Sequence, residues 1–239
     1  MFVDAFHSKT DGSIRISAEQ ASRFAKDIAG DFNPIHDSDS RRFCVPGDLL
    51  FALVLAYYGV SEHMHFSFKG MVGDGVALQF SEHEDGSLDV IDEAGKVYLQ
   101  VERSGSVIRE PDAVEAFIRR YVAFSGRNFP HFMKPLMEKK GVMFNPDRPL
   151  VIYDSMGFEL QGLEADGLDL DLVDATMEVA GKRAESVLDF AIRAGDWQLG
   201  RGSKKLLVSG LREYNEERLQ QFISEFTRRM EAYHAGEWV

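Results

Sequence analysis

Pro46-Gly47-Asp48-Leu49-Leu50-Phe51-Ala52-Leu53-Val54-Leu55-Ala56-Tyr57-Tyr58-Gly59 is the stretch that decides the fold. Pro46, Gly47 and Asp48 open a helix, and Gly59 ends it. Between them the predicted helix, residues 48–58, is apolar nearly all round. Such a helix has no face for water, so other structure must wrap it. The apolar run 49–60 is shorter than the ~20 residues a spanning helix needs, which makes it a core helix and not a membrane segment.

The wrapping follows on the C-terminal side. His65-Phe-Ser-Phe68, Val76-Ala-Leu-Gln-Phe80, Leu88-Asp-Val-Ile91 and Lys96-Val-Tyr-Leu-Gln-Val101 are strand-like. Gly70, Gly73 and Gly75 punctuate the first connection, and Asp85-Gly86 and Ala94-Gly95 are hairpin-grade turns. One buried helix followed by antiparallel strands is the element order of a hot-dog fold, a curved sheet wrapped round one long helix, in the α+β class.

On the N-terminal side, Ser17-Ala-Glu-Gln20 is a capping box, followed by Ala21, Phe24, Ala25 and Ile28 at helical spacing and by Gly30 as a stop. The loop Asp31-Phe32-Asn33-Pro34-Ile35-His36 lies between the two helices. A carboxylate and an imidazole in one tight loop can share acid and base roles, and Pro34 stiffens the loop by fixing its own φ. The same residues also make a good turn, in which Asp31 caps and His36 is structural.

The second half repeats the order. Helices are expected from Asp112 to Gly126 and over residues 132–140. Strand-like runs follow at Leu150-Val-Ile-Tyr153, Gly157-Phe-Glu-Leu160, Leu168-Asp-Leu-Asp-Leu172, Ser186-Val-Leu-Asp-Phe-Ala-Ile192 and Lys205-Leu-Leu-Val208, then a helix over 213–233. Ala29-Gly-Asp-Phe-Asn-Pro-Ile-His36 can be laid on Ser125-Gly-Arg-Asn-Phe-Pro-His-Phe132 with two glycines and two prolines in coincidence. The expectation is a double hot-dog: residues 1–111 carry the motif, and residues 112–239 form a degenerate partner with a C-terminal helix.

Phe24-Ala-Lys-Asp-Ile-Ala-Gly-Asp31-Phe-Asn-Pro-Ile-His36 resembles the hydratase motif of the MaoC-like dehydratases, which include the R-specific enoyl-CoA hydratases. By element order the resemblance covers residues 17–101. It implies reversible addition of water to a 2-enoyl thioester, with Asp31 and His36 holding and activating the water. It also implies that the backbone amide at Gly47 binds the thioester carbonyl. A helix N-terminus offers unpaired amides and positive partial charge to an oxygen that becomes negative in the transition state. Asn33 is a candidate on the substrate side.

The chain departs from that pattern in three places. Only residues 37–46 separate His36 from Gly47, Pro46 stands where the family often has His, and Met71 stands where it often has Pro. A remodelled or lost pocket is therefore expected. In the second half Arg127 and Phe132 replace the Asp31 and His36 equivalents, so that half should be inactive.

Composition limits the function classes. With a net charge of -12 and a pI near 5, the 239-residue chain should be repelled by phosphate backbones, so no nucleic-acid partner is expected. A hydrophobic fraction of 44% can build a core without disulfides. Cys44 is the sole cysteine, so no internal disulfide or cysteine-rich zinc site can form, which suits a reducing cytoplasm. The first ten residues lack a basic patch followed by an apolar run, so no signal peptide is expected, nor a membrane partner.

Arg41 and Arg42, and the cluster Arg201, Lys204 and Lys205 in an expected turn, are either solvated or able to hold phosphates of a CoA-type ligand. Glu62, His63, His65 and His83 lack a metal-ligand signature. No metal and no cofactor are expected. Cys44 either lines the pocket or is a buried inert thiol, and Asp169-Leu-Asp171 is a half-exposed strand. The leading expectation is a hydratase or dehydratase of fatty-acid-type metabolism acting on acyl-CoA or another acyl thioester, as a monomer or homodimer. Its rivals are a non-catalytic acyl-thioester binding protein, a hot-dog thioesterase using Asp48, and a structural or regulatory dimer.

Overall fold

A short hairpin, β1 (Ser8–Thr10) and β2 (Ser13–Arg15), leads into α1 (Ala18–Phe24). The capping box at its start is formed: Gln20 N donates to Ser17 Oγ at 3.2 Å and Ser17 N to Gln20 Oε1 at 3.0 Å. The helix widens into a π turn over Ala25–Ala29 and ends at Gly30, whose φ of 67° is the left-handed conformation that glycine adopts most easily. The amide of Asp31 then closes back onto the Ala25 carbonyl at 2.8 Å, so the helix terminus itself sets the position of Asp31. The computed structural model describes residues 1–162 and 167–236, with side chains for all but residues 125–130.

Helix α2 (Gly47–Tyr58) is buried on all sides: Leu49 through Leu55 are each at most 2% exposed. Burial of each leucine contributes about 1.5–3 kcal/mol. Strands β3 (Val60–Phe68), β4 (Leu78–Glu82), β5 (Leu88–Asp92) and β6 (Val97–Ile108) follow, then α3 (Pro111–Lys140) and β7 (Val142–Met143). Next come β8 (Val151–Leu160), β9 (Leu168–Ala180), β10 (Arg183–Ala194), β11 (Trp197–Ser209), β12 (Arg212–Glu213) and α4 (Glu216–His234).

Among the described residues, ten strands form one antiparallel sheet in the order β1-β2-β4-β5-β6-β3-β8-β11-β10-β9, and β12 pairs with β7. This is the hot-dog arrangement, a wide antiparallel sheet around a buried helix. Strand β3 pairs directly with β8, His65 opposite Gly157, and so joins the early strands to the late ones inside one chain. The core is aromatic where α2 meets α3: Phe51 stacks on Tyr121 at 4.5 Å and contacts Phe66 at 4.7 Å.

Three expectations are corrected. Residues 112–126 and 132–140 belong to a single helix, α3, which runs through Gly126, Pro130 and Pro135. Each helical proline costs ~3 kcal/mol, and burial of Phe117, Tyr121, Phe124, Met133 and Met137 along that helix opposes that cost. The two runs at 150–153 and 157–160 are one strand, β8. Its register shifts opposite Lys205/Leu206, which leaves Asp154 as an extra residue. Across this bulge the buried face changes from Met156, Phe158 and Leu160 to Val151, so alternation alone splits the strand. The expected turn at Arg201–Lys205 lies inside β11, because the strand extends back to Trp197. Asp169 and Asp171 do alternate with buried Leu168 and Leu170 on β9. Arg127, offered as the Asp31 equivalent, lies outside the described side chains.

Helix α4 is capped by Asn215, whose Oδ1 accepts from Arg218 N at 2.9 Å. It packs on the motif loop. Phe32 meets Phe226 at 6.0 Å and Tyr233 at 5.6 Å, Arg229 bonds Asp37, and the Tyr233 hydroxyl donates to Asp27 at 2.6 Å.

Candidate active site

The loop after Gly30 holds its shape through local hydrogen bonds. Asn33 N donates to Asp31 Oδ1 at 2.8 Å, and Ile35 N to Asn33 Oδ1 at 3.3 Å, which caps a single 3-10 turn over Pro34–His36. The other end of the Asn33 amide donates to the Val151 carbonyl at 3.4 Å, which ties the loop to β8. His36 is thereby turned back toward Asp31, with its Nε2 3.6 Å from Asp31 Oδ2. Its Nδ1 lies 2.8 Å from the Cys44 carbonyl. That oxygen can only accept, so Nδ1 carries the proton in the neutral ring and Nε2 is left facing the carboxylate.

The His36 ring has a pKa pushed up to about 9. Burial acts to lower it, but the contacts with Cys44 and the charge of Asp31 overcome burial. The protonated ring is therefore the folded state's form near neutral pH. Since the folded value lies above the unfolded one, this contribution to stability is complete below about pH 6.5 and disappears as pH rises through about 9. The advantage of wild type over His36→Gln in urea unfolding is expected to shrink by up to about 3 kcal/mol between pH 6 and pH 10. A difference that stays constant across this range would show that the ring is not charged in the folded protein.

Asp31, Asn33, His36, Cys44 and Gly47 line one cavity of about 290 Å³. Helix α2 presents its N-terminus there, with Pro46 at the cap position and no side-chain cap. The rest of the wall is mostly apolar and comes from early and late parts of the chain: Leu50 of α2, Phe68 of β3 and the following loop residues Met71 and Val72 on one side, Met133 of α3 with Val151, Tyr153, Leu188 and Leu206 of the late strands on the other. Gly47 is tightly covered, since a Cβ there would stand 2.9 Å from the Phe68 ring and 3.2 Å from the Tyr153 ring. Cys44 is both a cavity residue and 4% exposed. Arg41 and Arg42 are exposed on the turn beyond the loop and do not line the cavity, whereas Lys69 stands exposed in its wall.

Asp48 does not line the cavity. It is 2% exposed, pairs with the fully buried Lys204 at 3.5 Å, and accepts from the Tyr153 hydroxyl at 3.1 Å. Lys204 also donates to the Tyr121 carbonyl at 2.9 Å and lies 4.4 Å from the Tyr121 ring centre. Burial pushes the Asp48 carboxyl up and the Lys204 amine down, and the opposite charge of each partner works against that shift. Sequence reasoning missed Tyr153 and read Lys204 as solvated or as a phosphate ligand, whereas it is fully buried. The parity of Leu206 and Val208, carried back along β11, puts Lys204 on the buried face, and that was the available signal.

A family model described as "Protein of unknown function (DUF3581)" matches residues 1–217, and the chain belongs to that family. No curated protein matches the sequence. Among solved structures it is similar to a tesB protein of Mycobacterium avium subs paratuberculosis, 10% identical with a TM-score of 0.49, covering 87% of this chain and 98% of that one. It is also similar to a MaoC-like dehydratase, 10% identical with a TM-score of 0.44, covering 86% and 98%. A hot-dog protein of unknown function from Alicyclobacillus acidocaldarius is 10% identical with a TM-score of 0.42, covering 87% and 98%. Among the described residues, no helix is long and apolar enough to cross a membrane.

Proposed function

We propose that this DUF3581 member is a hydratase or dehydratase acting on a 2-enoyl thioester, with acyl-CoA as the favoured carrier. The observation that carries the reading is the opposition of Asp31 and His36 on the wall of a cavity that also holds the start of α2. In hydration, a water that bridges the two side chains from the cavity side loses a proton to Asp31 as its oxygen bonds to C3 of the enoyl group. The His36 imidazolium gives the Nε2 proton to C2, and proton transfer from Asp31 to His36 restores the pair. Charge that develops on the thioester oxygen meets the amide end of α2 at Gly47. The acyl chain runs against Leu50, Met133, Leu188 and Leu206, and Lys69 is placed for a carrier phosphate. Dehydration is the same path reversed.

The thioesterase reading needs Asp48 to reach substrate or water, and its burial against Lys204 and Tyr153 argues against that. The test uses the purified full chain with short and medium 2-enoyl-CoA. Loss of the enoyl absorbance without release of free thiol is the expected result, and thiol release would favour hydrolysis instead. If neither signal appears but acyl-CoA raises the melting temperature, the protein is a thioester-binding protein, because a ligand of the native state stabilises it. With no shift in melting either, the thioester assignment fails.

A further inference from the structure

Lys204 is the one lysine among the fully buried large side chains of the described residues, and the chemistry above does not use it. It sits on β11 with Met156 of β8 and Leu188 of β10 on either side, a row that alternation reserves for apolar residues. Its ammonium is held by the Tyr121 carbonyl on α3 and the Asp48 carboxylate in the first turn of α2. The other oxygen of Asp48 accepts from Tyr153, whose ring covers Gly47 and forms part of the cavity wall. One chain of contacts thus runs from α3 through β11 to the start of α2 and on to the aromatic ring beside the cavity. In an apolar surrounding an unpaired charge is costly.

We propose that Lys204 is a positioning residue: through Asp48 it fixes the first turn of α2 and the Tyr153 ring, and so sets the geometry of the cavity at Gly47. It touches no reacting atom. This role rests on the acyl-thioester reading only for its effect on turnover, because the placement of Tyr153 can be followed without substrate.

The test compares wild type, Lys204→Met, and the pair Asp48→Asn with Lys204→Met, which removes both charges while keeping approximate volume. Melting temperature, kcat and KM for a 2-enoyl-CoA, and the aromatic NMR signals of Tyr153 are measured. Lys204→Met alone should lose both stability and turnover, because it strands a buried carboxylate. The paired variant should recover most of the melting temperature yet remain at least 10-fold low in kcat/KM, with the Tyr153 signals shifted and averaged. A paired variant with wild-type kcat/KM, or with unchanged Tyr153 signals, overturns the proposal and leaves the ion pair as a plug in the core. If wild type neither turns over nor binds acyl-CoA while the Tyr153 signals still change in the paired variant, the hydratase reading fails and the positioning role stands.

Discussion

Asp31→Asn lowers the rate of enoyl-thioester hydration by roughly 10²–10⁴-fold, the range for losing one general base. The fold should be nearly unaffected. The amide oxygen of Asn can still accept from Asn33 N, and the volume is kept. The substitution also removes the negative charge that faces His36 Nε2, so the ring's pKa should fall from about 9 toward its ordinary value. Steady-state kinetics together with an NMR titration of His36 separate the two effects. His36→Ala should cost a similar factor in rate, since it removes the proton donor to C2 and leaves Asp31 to hold the water alone. An Asp31→Asn protein with full hydratase activity would remove the site assignment.

The second large effect is on stability. Lys204→Met should lower the free energy of unfolding by about 3–5 kcal/mol, the usual result of breaking a buried ion pair by removing one partner. In a chain of this size that corresponds to a drop of roughly 10 °C in melting temperature. The loss comes from stranding Asp48, which is 2% exposed and otherwise accepts from the Tyr153 hydroxyl. Adding Asp48→Asn to the same protein should therefore restore much of the loss, which simple cavity creation would not predict. Urea unfolding of the single and paired variants measures the coupling. For the same reason Asp48→Asn alone is a poor test of thioester hydrolysis, because it strands Lys204.

The sequence made much of this fold legible, and for physical reasons. A helix apolar on every face can only be a wrapped one, and α2 is. The capping box at Ser17 and the left-handed Gly30 are local signals, and both occur where the residues put them. The facing of Asp31 and His36 was legible because one short loop carries both. What failed to show was non-local. Pro130 reads as a break until the sheet beneath α3 is known, and Lys204 reads as solvated until β11 is extended back past it. Arg41 and Arg42 were plausible by proximity in sequence alone, but the turn that follows His36 carries them away from the cavity. The apolar wall from Met133, Leu188 and Leu206 lies far along the chain from the motif, and no local pattern connects them.

The extra residue at Asp154 has a consequence for how the chain tolerates length changes. Because side chains alternate with a period of two, a strand with one surplus residue carries two registers, and the surplus joins them. In β8 one register buries Met156 and Phe158, and the other turns Val151 and Tyr153 to the same side of the sheet. Removing Asp154 alone would merge the registers. Either the segment from 151 to 153 would then turn over, taking the Tyr153 ring off Gly47 and the Val151 carbonyl away from Asn33, or the pairing with β3 and β11 would slip. A single deletion at this point is thus equivalent to a rotation of the cavity wall by half a turn, whereas replacing Asp154, itself a wall residue, leaves the count, and with it the orientation of Val151 and Tyr153, intact.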